Sequence, residues 1–177
     1  TTIHHIKNIV AYDNHVKYLS FSRNFGKEAA MIAGYQHSTM HDAVIMIDGD
    51  LQHPPEYIPQ MIEGYIEGYD QVVAKRNRQG ENFVRKTLSR CYYKLINAFV
   101  EDIQFEDGVG DFRLLSRRAV QALTTLDEYN RFSKVLFEWI GYETKVFQYE
   151  NVTREDGESK WTFRKLLNYG IDGLISF

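Results

Sequence analysis

Apolar and polar positions along the chain follow two rhythms that alternate. Ile3, Ile6, Ile9 and Val10 recur at helical spacing and predict a helix over 2–10. Val16 to Phe21 reads as a short strand, and Gly26 to about Gln36, rich in Ala and Met, as a helix. The unbroken run Ala43-Val44-Ile45-Met46-Ile47 has the character of a buried parallel strand. A helix follows from about Pro55 to Gly68, with proline near its start and glycine near its end. Gln71 to Ala74 is a second short strand. Asn82 to Val100 predicts a long helix with Val84, Leu88, Cys91, Leu95 and Phe99 on one stripe. Phe112 to Leu115 is extended, Arg117 to Leu126 and Arg131 to Ile140 are helical, Thr144 to Tyr149 is a strand, and the chain from Trp161 onward is helical. Strands alternating with helices predict an α/β sheet.

A length of 177 residues suits one domain with a substantial core, so 1–177 is expected to be a single catalytic unit. The net charge of −3 argues neither for nor against nucleic acid. Local charge is more telling: Lys75, Arg76, Arg78, Arg85, Lys86, Arg90 and Lys94 face a single acid, Glu81. The lone Cys91 excludes an intrachain disulfide framework and fits a reducing compartment. No signal-peptide pattern is legible, and no apolar stretch is long enough to span a bilayer. The apolar-leaning end, Ile171 to Phe177, reads either as the approach to a membrane segment or as the last turns of an ordinary helix.

The chain opens on a helix rather than on the strand that usually begins such a sheet. It carries no glycine-rich phosphate loop of the Walker or dinucleotide type. It therefore reads as the later part of a nucleotide-sugar domain, with its opening strands expected upstream of Thr1.

Asp48-Gly49-Asp50 sits at the end of the 43–47 run and leads into Leu51-Gln52-His53-Pro54-Pro55-Glu56. If strand geometry continues through Gly49, the two carboxylates point the same way. Carboxylates at the carboxyl end of a buried strand lie where open α/β sheets bind ligands. They form a hard-oxygen set suited to Mg²⁺ or Mn²⁺, with substrate phosphates completing the shell. The plainer alternative is a solvated Asp-Gly turn. Gly49, which permits close backbone approach, and the Pro54-Pro55 exit favour the site.

Three further blocks join this one in order: Ser22-Arg23-Asn24-Phe25-Gly26-Lys27-Glu28, Gly110-Asp111-Phe112-Arg113-Leu114-Leu115-Ser116-Arg117, and Arg154-Glu155-Asp156-Gly157-Glu158-Ser159-Lys160-Trp161. Together they resemble a family 2 inverting glycosyltransferase of the polyprenyl-phosphate branch, which includes bactoprenol glucosyltransferases and dolichol-phosphate mannosyltransferases. The resemblance covers nearly the whole chain. It implies a GT-A-type, Rossmann-like, mostly parallel sheet flanked by helices. The QxxRW signature of processive synthases is absent, which favours transfer of a single sugar.

The resemblance implies that Asp48 and Asp50 hold a divalent metal, Mg²⁺ or Mn²⁺, against the donor diphosphate. Gln52 either joins that shell or makes a helix-entry hydrogen bond. His53 is expected to be a loop residue rather than a ligand. Asp111 is the candidate general base; because a lipid phosphate is already anionic, its main task would be to orient the acceptor. The alternative pairs Asp111 with Arg113 or Arg117 for structure. Arg76, Arg85 and Ser89 match the acceptor-phosphate residues, and arginine's planar fork suits a phosphate. The helix bearing Arg85 and Ser89, with Phe83, Tyr92, Tyr93 and Phe99, reads either as a membrane-surface helix or as a solvated basic face. Arg154, Ser159 and Lys160 would bind the donor diphosphate from a closing loop hinged at Gly157, or form a charged loop with Ser159 as a helix cap. Arg23 is a further candidate donor contact.

The function implied is transfer of one hexose from a nucleotide-diphosphate sugar, UDP-glucose-like, to a polyprenyl (undecaprenyl) phosphate. The setting implied is the cytoplasmic face of the cell membrane, with C-terminal transmembrane helices beyond this chain as anchor. No nucleic-acid partner is expected, and homo-oligomerisation is left open. Three alternatives stand beside it: a non-lipid acceptor, a haloacid-dehalogenase-like phosphatase with Asp48 as nucleophile, and a non-catalytic binding module. The phosphatase motif wants Thr or Val where Gln52 stands.

Overall fold

The computed structural model describes residues 1–77, 109–126 and 133–150, with Lys134 described by its backbone alone. The elements in chain order are α1 (Thr2–Tyr12), α2 (Lys27–Gln36), β1 (Ala43–Met46), a 3₁₀ turn (Pro55–Tyr57), α3 (Ile58–Ile66), β2 (Gln71–Arg76), β3 (Val109–Ser116), α4 (Arg117–Thr125), α5 (Ser133–Trp139) and β4 (Thr144–Tyr149). The helices expected over 82–100 and from Trp161 onward lie outside the described residues.

The four strands form one sheet in the order β1-β3-β2-β4. β1, β2 and β4 run in one direction. β3 runs against them, so among the described residues only the β2–β4 pairing is parallel. The sheet is thus mixed, with one reversed strand inserted between two co-directional ones. β3 is central and covered on both faces, so its side chains feed two cores in alternation. Leu115 packs with Met31 and Tyr35 of α2, Ala119, Val120 and Leu123 of α4, and Leu136 and Phe137 of α5. Phe112 and Leu114 pack on the other face with Met61 of α3, Val72 and Ala74 of β2, and Phe147 and Tyr149 of β4.

Helix starts follow local chemistry. Ser116 caps α4 by accepting from the Ala119 amide (3.2 Å), and its hydroxyl also donates to buried Asp70 (2.7 Å). Arg118 grips the same carboxylate with both Nε and an Nη. Burial pushes the Asp70 carboxyl up, but the Arg118 and Ser116 hydrogen bonds outweigh it and leave the pKa lowered. α3 crosses β2 closely because Gly64 has no side chain: a Cβ there would lie 2.8 Å from Val72 Cγ2.

Two expectations need correction. Val16 to Phe21 forms no strand. Apolar side chains are only half of a strand; the backbone also needs a neighbouring strand to pair with, and this segment pairs with none among the described residues. The strand over 43–47 ends at Met46, and Gly49-Asp50 forms a turn with Leu51 in the left-handed region (φ 62°). Strand alternation therefore does not orient Asp48 and Asp50.

β2 and β3 carry an irregularity at the end that bears the acids. Val73 pairs with Arg113 but Lys75 with Val109, so β3 bulges across Gly110–Phe112.

Candidate active site

The carboxyl ends of the three co-directional strands share one edge of the sheet. Asp48 follows β1, Arg76 ends β2 and Tyr149 ends β4. The reversed β3 enters at this same edge. In the β1–β3 ladder Met46 pairs with Arg113, and continuing that register by two residues puts Asp111 opposite Asp48. The ladder itself ends at Met46–Arg113, and the two acids, far apart in sequence, lie just beyond it and are joined by Lys27. The bulge at Gly110–Phe112 re-aims the backbone where Asp111 stands, as bulges commonly do beside active sites.

Lys27 closes the site. Its ammonium donates to Asp111 Oδ2 at 2.6 Å and to Asp48 Oδ2 at 3.0 Å. Partial burial works against this charge, but Asp111 and then Asp48 outweigh it and raise the lysine's pKa above its ordinary value. Lys27 is the first residue of α2. It is set there by Gly26 (φ 91°), whose amide donates to Asn24 Oδ1 at 2.9 Å. The sequence blocks contain Lys27 but assign it no role. One signal was legible: a cation at the first position of a helix opposes the macrodipole and calls for nearby anions.

The acidic turn is held from below by His53. Its Nδ1 accepts the Asp48 amide at 2.9 Å, which requires that nitrogen to be unprotonated. The imidazole lies stacked on Phe112, with centroids 5.0 Å apart and planes 9° apart. Burial lowers the His53 pKa and Lys27 adds to that, against the raising influence of Asp48, Asp50 and Asp111. His53 is thus a neutral brace whose Nδ1 is already committed. Asp50 is fixed by its own turn, accepting the Gln52 amide at 3.2 Å. For Gln52, then, the contact seen at the turn is made by the backbone.

Tyr149 adjoins this site from β4. Burial raises its phenol pKa, Arg76 opposes that, and Asp48 and Asp50 add to it. Both acids and Arg76 therefore lie close enough to act on one ring. Tyr149 also packs edge-on against Phe112 (5.9 Å) and against Tyr57 (5.7 Å). The result is an aromatic wall beside a row of charges.

Arg113 and Arg117, the structural partners considered for Asp111, make their described hydrogen bonds elsewhere, and Asp111 acts on Arg113 electrostatically. Arg117 binds Asp42 and the carbonyls of Met40 and His41. Arg113 is fully buried, with its guanidinium 3.7 Å from the Phe137 ring centroid. It donates to Gly110 O (3.1 Å) and so ties down the bulge that carries Asp111. Burial pushes its pKa down to about 10, and it stays charged at neutral pH. Arg23 lies over Phe25 at 4.6 Å.

Of the expected site residues, the structure brings Asp48, Asp50 and Asp111 to one edge with Arg76. Arg85, Ser89, Arg154, Ser159 and Lys160 lie outside the described residues. Among the described residues no group of three or more His, Cys, Asp or Glu side chains stands ready for a metal. The donor chemistry nonetheless fits a hard divalent ion: the Lys27 ammonium, a cation, is already shared by two carboxylates, and Asp50 stands beside them. Such an ion commonly takes one or two carboxylates and completes its shell with water and substrate phosphates. Among the described residues no helix is long and apolar enough to cross a membrane.

Comparison with known proteins accords with this geometry. The chain is 58% identical over 176 residues to a Bacillus subtilis protein named as a glycosyltransferase, CsbB, covering 99% of this chain and 53% of that protein. It is 44% identical over 160 residues to the bactoprenol glucosyl transferase of Shigella phage SfX (90% of this chain, 52% of the relative). It is 41% identical over 160 residues to the prophage bactoprenol glucosyl transferase homolog of Escherichia coli K12, with the same coverages. The chain spans about half the length of these curated relatives. The α/β sheet flanked by helices agrees with the GT-A-type architecture expected from the sequence. Residues 1–124 match the model of glycosyl transferase family 2, and the chain belongs to that family.

Proposed function

We propose that this chain is the catalytic portion of an inverting enzyme that moves one hexose, glucose in the first instance, from a nucleotide-diphosphate sugar to a polyprenyl phosphate. The observation that carries the proposal is the Asp48–Lys27–Asp111 bridge at the carboxyl edge of the sheet, with Arg76 on the same edge. It gathers anion-organising and cation-organising groups where two phosphate-bearing substrates have to meet. The relatives named as bactoprenol glucosyl transferases support the acceptor. Family membership sets aside the phosphatase alternative.

Asp48 and Asp50, with Gln52 beside them, are the residues that would hold Mg²⁺ or Mn²⁺. When bound, such an ion would stabilise the negative charge gained by the departing diphosphate. An acceptor phosphate oxygen forms the new bond to C1 of the sugar from one face, and the bond from C1 to the diphosphate oxygen breaks on the other, so the anomeric centre inverts. The acceptor is anionic throughout, and no proton has to leave it. Asp111 therefore orients the acceptor rather than deprotonating it. Arg76, Arg85 and Ser89 bind the acceptor phosphate, and Arg154, Ser159 and Lys160 the donor diphosphate. The setting is the cytoplasmic surface of the membrane, where a polyprenyl phosphate presents its head group, with the anchor in segments beyond this chain.

The test incubates the full-length protein with radiolabelled UDP-glucose, Mg²⁺ or Mn²⁺, and undecaprenyl phosphate. Labelled lipid of the anomeric configuration opposite to the donor's supports the proposal. Absence of labelled lipid with UDP-glucose and with other sugar nucleotides, while a matched relative turns over, refutes it. Label transferred only to a water-soluble acceptor supports the non-lipid alternative.

A further inference from the structure

We propose that Lys27 is a positioning residue: the built-in counter-cation of Asp48 and Asp111, which releases Asp48 when the donor arrives with its divalent ion and keeps Asp111. This rests on Asp48 being a metal-holding residue, as proposed above.

The two contacts are unequal in the sense the proposal needs. The bond to Asp111 is the shorter, 2.6 Å against 3.0 Å, and the Asp111 side chain is 17% exposed against 31% for Asp48. Charge-assisted contacts strengthen as water is excluded, so the retained partner is the more buried one. An ammonium has three donors. Losing Asp48 therefore does not strand Lys27; it frees a donor for an incoming anion at the same edge. Its place at the start of α2 is unfavourable for a cation and is made tenable by the acids. Without it, Asp48 and Asp111 would face each other as like charges.

The consequence concerns the bare ion. Lys27 competes with a cation for Asp48, so a divalent ion alone binds weakly and needs the donor's phosphates to prevail. A diphosphate supplies both additional oxygens for the ion and an anion for the displaced ammonium. Loading of the ion and of the donor are thereby coupled through one side chain.

The experiment titrates the full-length protein with Mn²⁺ alone and reads free Mn²⁺ by electron paramagnetic resonance. Wild type, Lys27→Met and Lys27→Arg are compared, each also with Asp48→Asn. Lys27→Met is expected to bind Mn²⁺ roughly tenfold more tightly, the size expected for removing a half-exposed competing charge. Lys27→Arg is expected to stay near wild type, and Asp48→Asn to abolish the gain. In sugar transfer, Lys27→Met is expected to lose kcat without a rise in donor KM. Equal or weaker Mn²⁺ binding by Lys27→Met overturns the proposal, as does a gain that survives Asp48→Asn or an absence of Mn²⁺ binding in every variant. Lys27→Gln, under the same expectations, replaces Lys27→Met should that variant not fold. The Mn²⁺ titration needs no acceptor, so a failure of lipid glucosylation with the Lys27 effect intact rejects the acceptor assignment alone.

Discussion

Replacing His53 with phenylalanine removes one hydrogen bond beneath the acidic turn and leaves the ring. The Asp48 amide, now bonded to Nδ1 at 2.9 Å, loses its acceptor while the stack on Phe112 persists. An amide left without a partner costs about 1–3 kcal/mol, and this half-buried one falls at the lower end because water reaches it. His53→Ala also removes the stacked ring, worth roughly 0.5–1.5 kcal/mol more. The two variants should thus lose about 1 and about 2 kcal/mol. For a chain of this length that corresponds to melting about 3 °C and about 6 °C below wild type. The catalytic effect should be larger than the loss of stability. A turn that shifts by an ångström carries Asp48 and Asp50 with it, and, on the role proposed for them, such a displacement costs up to about a hundredfold in rate. The assay pairs thermal melts with kcat for transfer to undecaprenyl phosphate. If His53→Phe melts with wild type and turns over normally, the hydrogen bond is not what holds the turn, and the bracing role of His53 is wrong.

On the proposed role of Asp111 in orienting a charged acceptor, Asp111→Asn should reduce kcat by roughly 10–100-fold with little change in donor KM; unchanged kcat in steady-state assays would remove Asp111 from the reaction. Asp70 provides a pH dependence of stability. Its folded-state pKa is below the ordinary 3.8, so its contribution is fully present above that value and fades as pH falls through the lowered one. Urea midpoints of wild type and Asp70→Asn should differ by a constant amount from pH 6 to 8 and converge below about pH 4; a difference that widens in acid would reverse the sign. Gly64→Ala should destabilise by about 1 kcal/mol, as overpacking against Val72 exceeds the gain in helix propensity. A higher denaturant midpoint would show that α3 lifts off β2 easily.

What the sequence revealed and what it hid divide along a physical line. The run Val72-Val73-Ala74 announces a buried strand because burial on both faces leaves a continuous apolar signature. α2 and α3 are legible from composition and from their glycine and proline punctuation. Asp48 and Asp111 are legible because glycine neighbours and ordered blocks mark them. That Lys27 partners them is not, since they stand 21 and 84 residues away and only its unfavourable place at a helix start hints at them. The bulge at Gly110–Phe112 and the reversal of β3 are invisible for the same reason: pairing direction is a property of two segments, and periodicity describes one. Val16 to Phe21 is misleading because its apolar content suits a strand but it pairs with no strand among the described residues. His53 was undervalued because a loop histidine's importance depends on which amide meets its ring nitrogen.

The pairing of Lys75 with Val109 has a consequence for how this enzyme diversifies. Ladder partners lie about 5 Å apart, so the chain leaves the sheet after β2 and re-enters it almost where it left. Everything between is inserted at a single point, like a cassette with both ends on one hinge. The cassette contains Arg85 and Ser89. The β1–β3 and β2–β4 ladders, and with them Asp48, Asp111 and Lys27, are built from the chain on either side of that segment. On the proposed assignment of Arg85 and Ser89 to the acceptor and of Asp48 and Asp50 to the donor, the two specificities are then carried by separate stretches of chain.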